Sequence, residues 1–483
     1  MSDLDLAEGT TYLELSEDGG GAHKFYEVVI TGTTVRVRYG RIGTEGQEQV
    51  ASFPTVQKAQ AAASKKIGEK VRKGYAPALR GGRAARPVTR RATAVVTPAT
   101  SAATAPVLWR FRTGSSAFGI HIDDERCWVG NQSGHVYALG HGGTVISHFK
   151  LPDGVKCLVA DDFWIYAGCD DGRVYDLSSK VPFAAYQISD DVDIYWLDIR
   201  DGVLGVADAG GGLTVIDHED EFQWARQSLG RSAWMVRCDE RATYHGHSSG
   251  VTAYATEGGR QLWHTGTNGS VLFGWQEHDS VYAGTGRHLV QRLDKANGAI
   301  QAVYRCDDAV YSCATSPRGE YVFAGDNALS VYCFTADGTR LWKLATGCGA
   351  ALSMQYHEEK LYIVTTDGTL ACIDVSASAI EAAKGGDVPA VVDVKAAAAL
   401  TTSAYAPAAQ LSTTATVGAG VTVECVDEQG RLRIRVVDTG YRRDWNVQFP
   451  REHRVAGARY VVDEVLSNDR GFYRIRGEIR RLL

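Results

Sequence analysis

Three observations in this 483-residue chain predict a mainly β protein of several domains. A strand pattern recurs seven times between residues 107 and 376, at a spacing of 38 to 41 residues. A strand-rich stretch ending in one lysine-rich helix precedes these repeats, and a short β-rich stretch follows them. The predicted architecture is a small α+β domain at 1–79, a seven-bladed β-propeller at 107–376 and a small C-terminal β-rich domain at 411–483. Residues 80–106 read as a basic flexible linker and 377–410 as an Ala-rich linker.

Length and composition set the frame. The chain is too long for one hydrophobic core, and its 44% hydrophobic and 22% charged residues are ordinary for a globular protein. The start is acidic and lacks the apolar centre of a secretory signal. No run approaches the ~20 apolar residues of a membrane helix. Ten cysteines are scattered without a C-x-x-C pair, so they read as reduced core residues of a cytoplasmic protein. Net charge is uneven: zero over 1–79, +5 over 80–106, −13 over 107–376 and +3 over 411–483. Local charge of this kind selects partners more than the total of −6 does.

In the first domain, Lys24–Ile30 and Thr34–Tyr39 flank Thr31-Gly32-Thr33, a hairpin pattern. A helix is expected from Thr55, a competent N-cap, with an apolar stripe at Val56, Ala59, Ala63, Ile67 and Val71 and a stop at Gly74. Its other face carries Lys58, Lys65, Lys66, Lys70, Arg72 and Lys73.

Lys24-Phe25-Tyr26-Glu27, Val35 to Gly43, Ser52-Phe53-Pro54 and Lys73-Gly74-Tyr75 together resemble the WGR domain, with Tyr39-Gly40-Arg41 where the family has Trp-Gly-Arg. In DNA-damage-responsive ADP-ribosyltransferases the resembling domain contacts a DNA end, its aromatic packing on a sugar and basic residues holding the 5′ phosphate. The resemblance implies nucleic-acid contact by Lys24, Arg38, Tyr39, Gly40, Arg41, Lys66, Lys70 and Lys73. Tyrosine still stacks, with less area than tryptophan; Gly40 admits a phosphate close to the backbone, and Arg41 can bind it bidentately. Tyr39 equally reads as a core aromatic, since it shares strand parity with Val35 and Val37, and Arg36 and Arg38 then lie on the opposite face. A lysine-rich helix face equally serves solubility.

Each middle repeat ends an apolar run on a small residue, continues through a Gly-containing turn into an alternating strand, and is marked by an outer aromatic: Phe149, Tyr186, Trp224, Trp263, Tyr304 and Trp342. The seventh aromatic is displaced upstream to Trp109, so Leu108 to Phe111 is expected to close the last blade and leave the ring without an open sheet edge. Thr256 to Trp263 and Ala336 to Trp342 resemble the quinoprotein-like (PQQ-like) propeller family. Quinone-using members are usually larger, exported and eight-bladed, so the resemblance implies a fold and no cofactor is expected.

Lys70 to Arg91 collects eight basic residues without an acid, and a basic tether beside such a domain would add salt-sensitive phosphate contacts or simply space two domains. Ala379 to Lys384 reads as a short helix. In the last domain, Tyr441 to Arg454 interleaves Arg442, Arg443, Arg451 and Arg454 with Trp445 and Phe449; Arg442, Arg443, Trp445 and Arg451 form a candidate interaction surface, or the aromatics are core. This tail resembles one found on bacterial WGR proteins. The whole resembles the propeller component of MoxR–vWA–β-propeller ternary systems, which implies an AAA+ ATPase and a von Willebrand A protein as partners.

No nucleotide-binding, zincin or nucleophile-elbow motif occurs. Asp208 to Leu213 reads as a tight turn; His245 and His247 lack a third metal ligand; Asp190, Asp191 and Asp193 read as an acidic rim. The expected function is therefore non-enzymatic, without catalytic or metal residues. It is an adaptor binding nucleic acid, a DNA end, through the first domain and a protein through the propeller. The alternatives are a protein-only scaffold subunit of an AAA+/vWA conflict or stress-response system and a small-ligand sensor using the propeller channel.

Overall fold

The computed structural model describes residues 9–15, 24–41, 46–71, 73, 75–77, 103–161, 164–178, 182–189, 192–200, 202–217, 223–397, 400–404, 420–428, 431–449, 453–468 and 472–482. The chain divides into two compact units, Met1–Thr89 and Arg90–Leu483. Most of the expected basic linker, residues 80–102, lies outside the described residues. Among those described, no helix is long and apolar enough to cross a membrane.

The first unit is an antiparallel sheet of β1 (Gly9–Leu15), β2 (Lys24–Thr31), β3 (Thr34–Arg41), β4 (Gln47–Ser52) and β5 (Ala76–Pro77), ordered β4-β3-β2-β1-β5. Thr31 pairs with Thr34 across the two-residue turn, and this register sets every cross-strand neighbour of β2 and β3. Helix α1 (Val56–Val71) begins at Thr55, whose Oγ1 accepts from the Lys58 amide at 3.3 Å. Ala59 and Ala63 lie fully buried against Val28, Ile30, Val35 and Val37, with Ile67 half-buried. The stripe is shorter than expected: Val56 and Val71 are exposed, because a 16-residue helix outruns the strands beneath it.

Seven sheets of four antiparallel strands make up the body of the second unit: blades 1 (117–150), 2 (155–187), 3 (194–227), 4 (235–265), 5 (271–305) and 6 (310–345), and blade 7. Blade 7 takes three strands from Ala351–Asp374 and its outer strand from Val107–Arg112, with Cys372 opposite Trp109. The ring is thus closed by the propeller's own first strand, as the displaced tryptophan predicted. The outer aromatics bind each blade to the next. Indole N–H groups of Trp109, Trp224 and Trp263 donate to the carbonyls of His141, Thr256 and Lys295, each 32 residues on, at 2.7–2.9 Å. The Tyr304 hydroxyl does the same to Ala336 at 3.0 Å. The accepting turns need glycine: Gly259 (φ +64) and Gly298 (φ +75) lie so close to the Trp224 and Trp263 rings that a Cβ would stand at 2.5 and 2.6 Å.

Six inner strands bulge at their second residue. Phe118, Tyr195, Tyr311 and Leu352, with Trp234 of blade 4, cluster there. Side chains from blades 1, 3, 4, 6 and 7 meet only at the ring axis, so this cluster plugs one end of the channel. The equivalent residue of blade 2 is Lys156, 1% exposed, paired with Asp170 and, at 3.4 Å, with Asp193. Asp193 is therefore a buried ion-pair partner and not part of a solvated rim; Asp190 and Asp191 lie outside the described residues. Asp208 to Leu213 is the expected turn, with the Gly212 amide donating to Asp208 Oδ1 at 2.8 Å. All ten cysteines are free, nine of them buried.

The stretch expected as an Ala-rich linker is ordered against the blades at its described residues. Helix α2 (Ala377–Lys384) is capped by Ser376 and buries Ile380. Val392–Val394 adds a parallel fifth strand to blade 7, anchored by Asp393 accepting from Arg110 at 3.2 Å. Thr402–Ala404 adds one to blade 1. Upstream, the Ala105 amide donates to Ala345 of blade 6, so the basic linker also ends on the propeller. Such short additions are held by backbone hydrogen bonds on one edge and need no apolar periodicity.

The C-terminal piece is a five-stranded sheet in the order Arg431–Val436, Val421–Glu428, Arg459–Asn468, Phe472–Leu482, Val447–Gln448. It packs on blade 2, where Gln448 Nε2 donates to the Tyr166 and Tyr186 hydroxyls at 3.2 and 2.7 Å.

Candidate nucleic-acid interface

The hairpin register places Tyr26 directly opposite Tyr39 on the face covered by α1. Their rings lie 6.1 Å apart, and Tyr75, from the chain just beyond the helix, meets Tyr26 edge-on at 6.4 Å. Lys70, in the last turn of α1, holds its ammonium 4.5 Å from the Tyr26 ring and 5.3 Å from the Tyr75 ring. Tyr39 is half-buried, and its hydroxyl accepts from Gln49 Nε2 at 3.1 Å.

Lys24, Lys66, Lys70 and Lys73 converge on this aromatic corner. Burial, then the charges of Lys73 and Lys24, lower the Lys70 pKa, and Lys66 acts in the same direction. Four ammonium groups therefore share one field, opposed there by Glu69. Among the described residues none of these four lysines has an ion-pair partner. Burial raises the Tyr26 pKa, reinforced by Glu69, Tyr39 and Tyr75, so it stays a neutral ring. Tyr26 and Tyr75 are core rings, 6% and 8% exposed, and Tyr39 is half-buried, so the corner offers part of Tyr39 within a cluster of four cations, which suits a polyanion.

Lys24, Tyr39, Lys66, Lys70 and Lys73, named from the sequence, lie near one another, together with Tyr26 and Tyr75, which sequence reasoning did not name. Tyr26 was readable, because a two-residue turn at 32–33 pairs it with Tyr39. Arg38 does not join them. Its alternate parity points it to the opposite face, where Glu27 pairs with it at 3.1 Å and Phe25 lies under its guanidinium at 5.3 Å. Gly40 pairs with Phe25 and Arg41 ends β3 opposite Lys24, the Arg41 side chain lying outside the described structure.

The second candidate surface is largely structural. Trp445 is half-buried and 5.1 Å from the Tyr473 ring, and Phe449 is core. Arg442 lies 5.0 Å over Trp445 but pairs with Asp444 at 3.0 Å. Arg443 is exposed and Arg451 lies outside the described residues. His245 and His247 are both buried, and His264, which sequence reasoning missed, joins His247 through the Thr252 hydroxyl at 2.9–3.0 Å.

Fold and site together define the class: a β-propeller protein with an N-terminal WGR domain. The WGR domain family matches residues 9–82. Protein YehF of Escherichia coli (strain K12) is 43% identical over 54 residues, 11% of this chain and 20% of that protein. The likeness thus spans about a fifth of that relative's length. Among solved structures, the WD40 β-propeller domain of Doa1 superposes with a TM-score of 0.50 at 13% identity, covering 57% of this chain and 98% of that one. The computationally designed Ika8 protein gives a TM-score of 0.43 at 13% identity, covering 56% of this chain and 99% of its own. At such identities the likeness concerns the fold alone.

Proposed function

We propose that this protein is a non-enzymatic adaptor whose WGR domain binds nucleic acid, at a DNA end, while its propeller docks a protein. The convergence of Lys24, Lys66, Lys70 and Lys73 on the Tyr26–Tyr39–Tyr75 corner carries the reading. A duplex end offers both an unstacked base face for tyrosine and terminal phosphates for the lysines. The propeller's charge of −13 over 107–376 disfavours a second nucleic-acid surface there and favours a protein. The PQQ-like character of the repeats and partnership with an AAA+ ATPase and a von Willebrand A protein, in the cytoplasm, belong to the same proposal. They rest on the sequence resemblances.

The test is binding of the full chain to an end-labelled linear duplex against a closed circular one. Linear DNA is expected to bind more tightly, and Tyr39→Ala with Arg41→Ala to remove that preference. Equal binding of both forms would reject end recognition. Failure to bind either at low salt would leave a protein-only scaffold.

A further inference from the structure

We propose that the propeller's central channel is a blind pocket that binds a small organic carboxylate with an apolar body. The aromatic cluster around Trp234 blocks one end: Phe118 of blade 1 and Tyr195 of blade 3 stack on its ring at 6.2 and 3.8 Å. Beyond it lies a cavity of about 220 Å³ walled by six blades. A cavity of ~150 Å³ holds benzene, so this one suits a ligand of roughly ten non-hydrogen atoms.

The walls are mixed, Leu158, Trp196, Phe273 and Trp275 giving an apolar side and Asp198, Arg200, Arg237 and Gln276 a polar one. Asp198 already accepts three hydrogen bonds, from Arg237 at 3.3 Å, the Cys238 amide at 2.7 Å and Gln276 at 3.3 Å. Gln276 in turn accepts from Lys295 at 3.0 Å. Arg237 is held over Trp196, Phe273 and Trp275 at 5.1–5.9 Å and spends two donors on the Gly274 carbonyl. That leaves it N–H groups to spare, since a guanidinium has five.

The unmatched groups lean one way. Among the described residues the indole N–H of Trp196, a residue 5% exposed, has no acceptor, nor has that of Trp275. Against these donors stands one unmatched acceptor, Gln355 Oε1. A donor-rich pocket that sets two arginines against one aspartate and keeps an apolar side favours a ligand that brings acceptors and negative charge on a hydrophobic frame. Burial, with Arg237 nearby, holds the His121 pKa at about 4, so the cationic groups of the wall are Arg200 and Arg237.

The experiment is isothermal titration calorimetry of the full chain with phenylacetate and with its neutral analogue phenylacetamide. One-site binding of phenylacetate is expected, with the amide at least about tenfold weaker for want of a charge-assisted hydrogen bond. Arg237→Gln is a poor test because it strands Asp198, so the second arm is Ala160→Leu, which fills the cavity from a half-buried wall position. It is expected to abolish the heat while leaving the melting temperature near that of the parent. No saturable heat up to about 10 mM phenylacetate, equal affinity for the amide, or undiminished binding by the filled variant would each overturn the proposal.

Discussion

Replacing Lys66, Lys70 and Lys73 together by Gln should abolish most of the salt dependence of DNA binding. Each phosphate neutralised contributes about 0.9 to the slope of log affinity against log salt. With all four clustered lysines engaged, the slope is about −3.6, so a rise from 50 to 200 mM salt costs about 150-fold in affinity. Of the four clustered lysines the triple variant keeps Lys24, so their share of the slope falls to about −0.9, and the same rise costs about 3.5-fold through it. The domain should survive, since the three side chains lie outside the Ala59–Ala63 core. Losing Lys70 from the Tyr26 ring costs about 0.5–1 kcal/mol, which thermal unfolding will show. Fluorescence anisotropy of a labelled duplex over a salt series measures both slopes. An unchanged slope in the triple variant would show that the phosphates are held elsewhere and refute the assignment.

Three further outcomes follow from the second unit. Gly298→Ala should destabilise the chain by roughly 2–4 kcal/mol in denaturant unfolding, combining a left-handed backbone with a clash on Trp263; Gly258→Ala, with positive φ but open space, should cost only about 1–2 kcal/mol. Trp109→Ala, at the ring closure, should cost about 3–5 kcal/mol by the same measurement. Stability should also fall as pH drops from about 6.5 towards 4. Burial, then His135, holds the folded His148 pKa at about 4, below its unfolded value, so the unfolded chain takes up the proton first and the stabilisation is complete only above 6.5. His148→Gln should flatten that part of the stability–pH curve, read from urea midpoints; an unchanged curve would move the acid sensitivity to His121, His245 or His247.

The elements that sequence reasoning recovered are those with a local or periodic signal. Trp109 stood one repeat length upstream of Phe149, so its transfer to blade 7 was visible from spacing. Thr55 announced its helix through its own side chain. The Tyr26–Tyr39 pair was legible in the same way, from the turn and a count back along each strand, but was not drawn. Other features carried no such signal. Gly259 and Gly298 read as turn residues, yet their close approach is to tryptophans of the preceding blade, more than 30 positions away. Val392–Val394 and Thr402–Ala404 are three residues each and mostly exposed, so no apolar alternation marked them as strands. Arg38 was assigned by its motif, and strand parity, which argued against it, carried the better information.

The sequence by itself determined the seven-fold repeat, its closure, the WGR-like hairpin and helix, and the charge contrast between the basic segment and the propeller. Each follows from spacing, alternation or composition, which are properties of the chain read in order. Only the tertiary structure decided which groups meet across blades: the aromatic plug, the Lys156–Asp170–Asp193 cluster, the Arg237 cage and the ordered strands of the expected linker. Closing a ring brings residues from six or seven separate repeats to one axis, and no one-dimensional pattern encodes which side chains find partners there and which are left without.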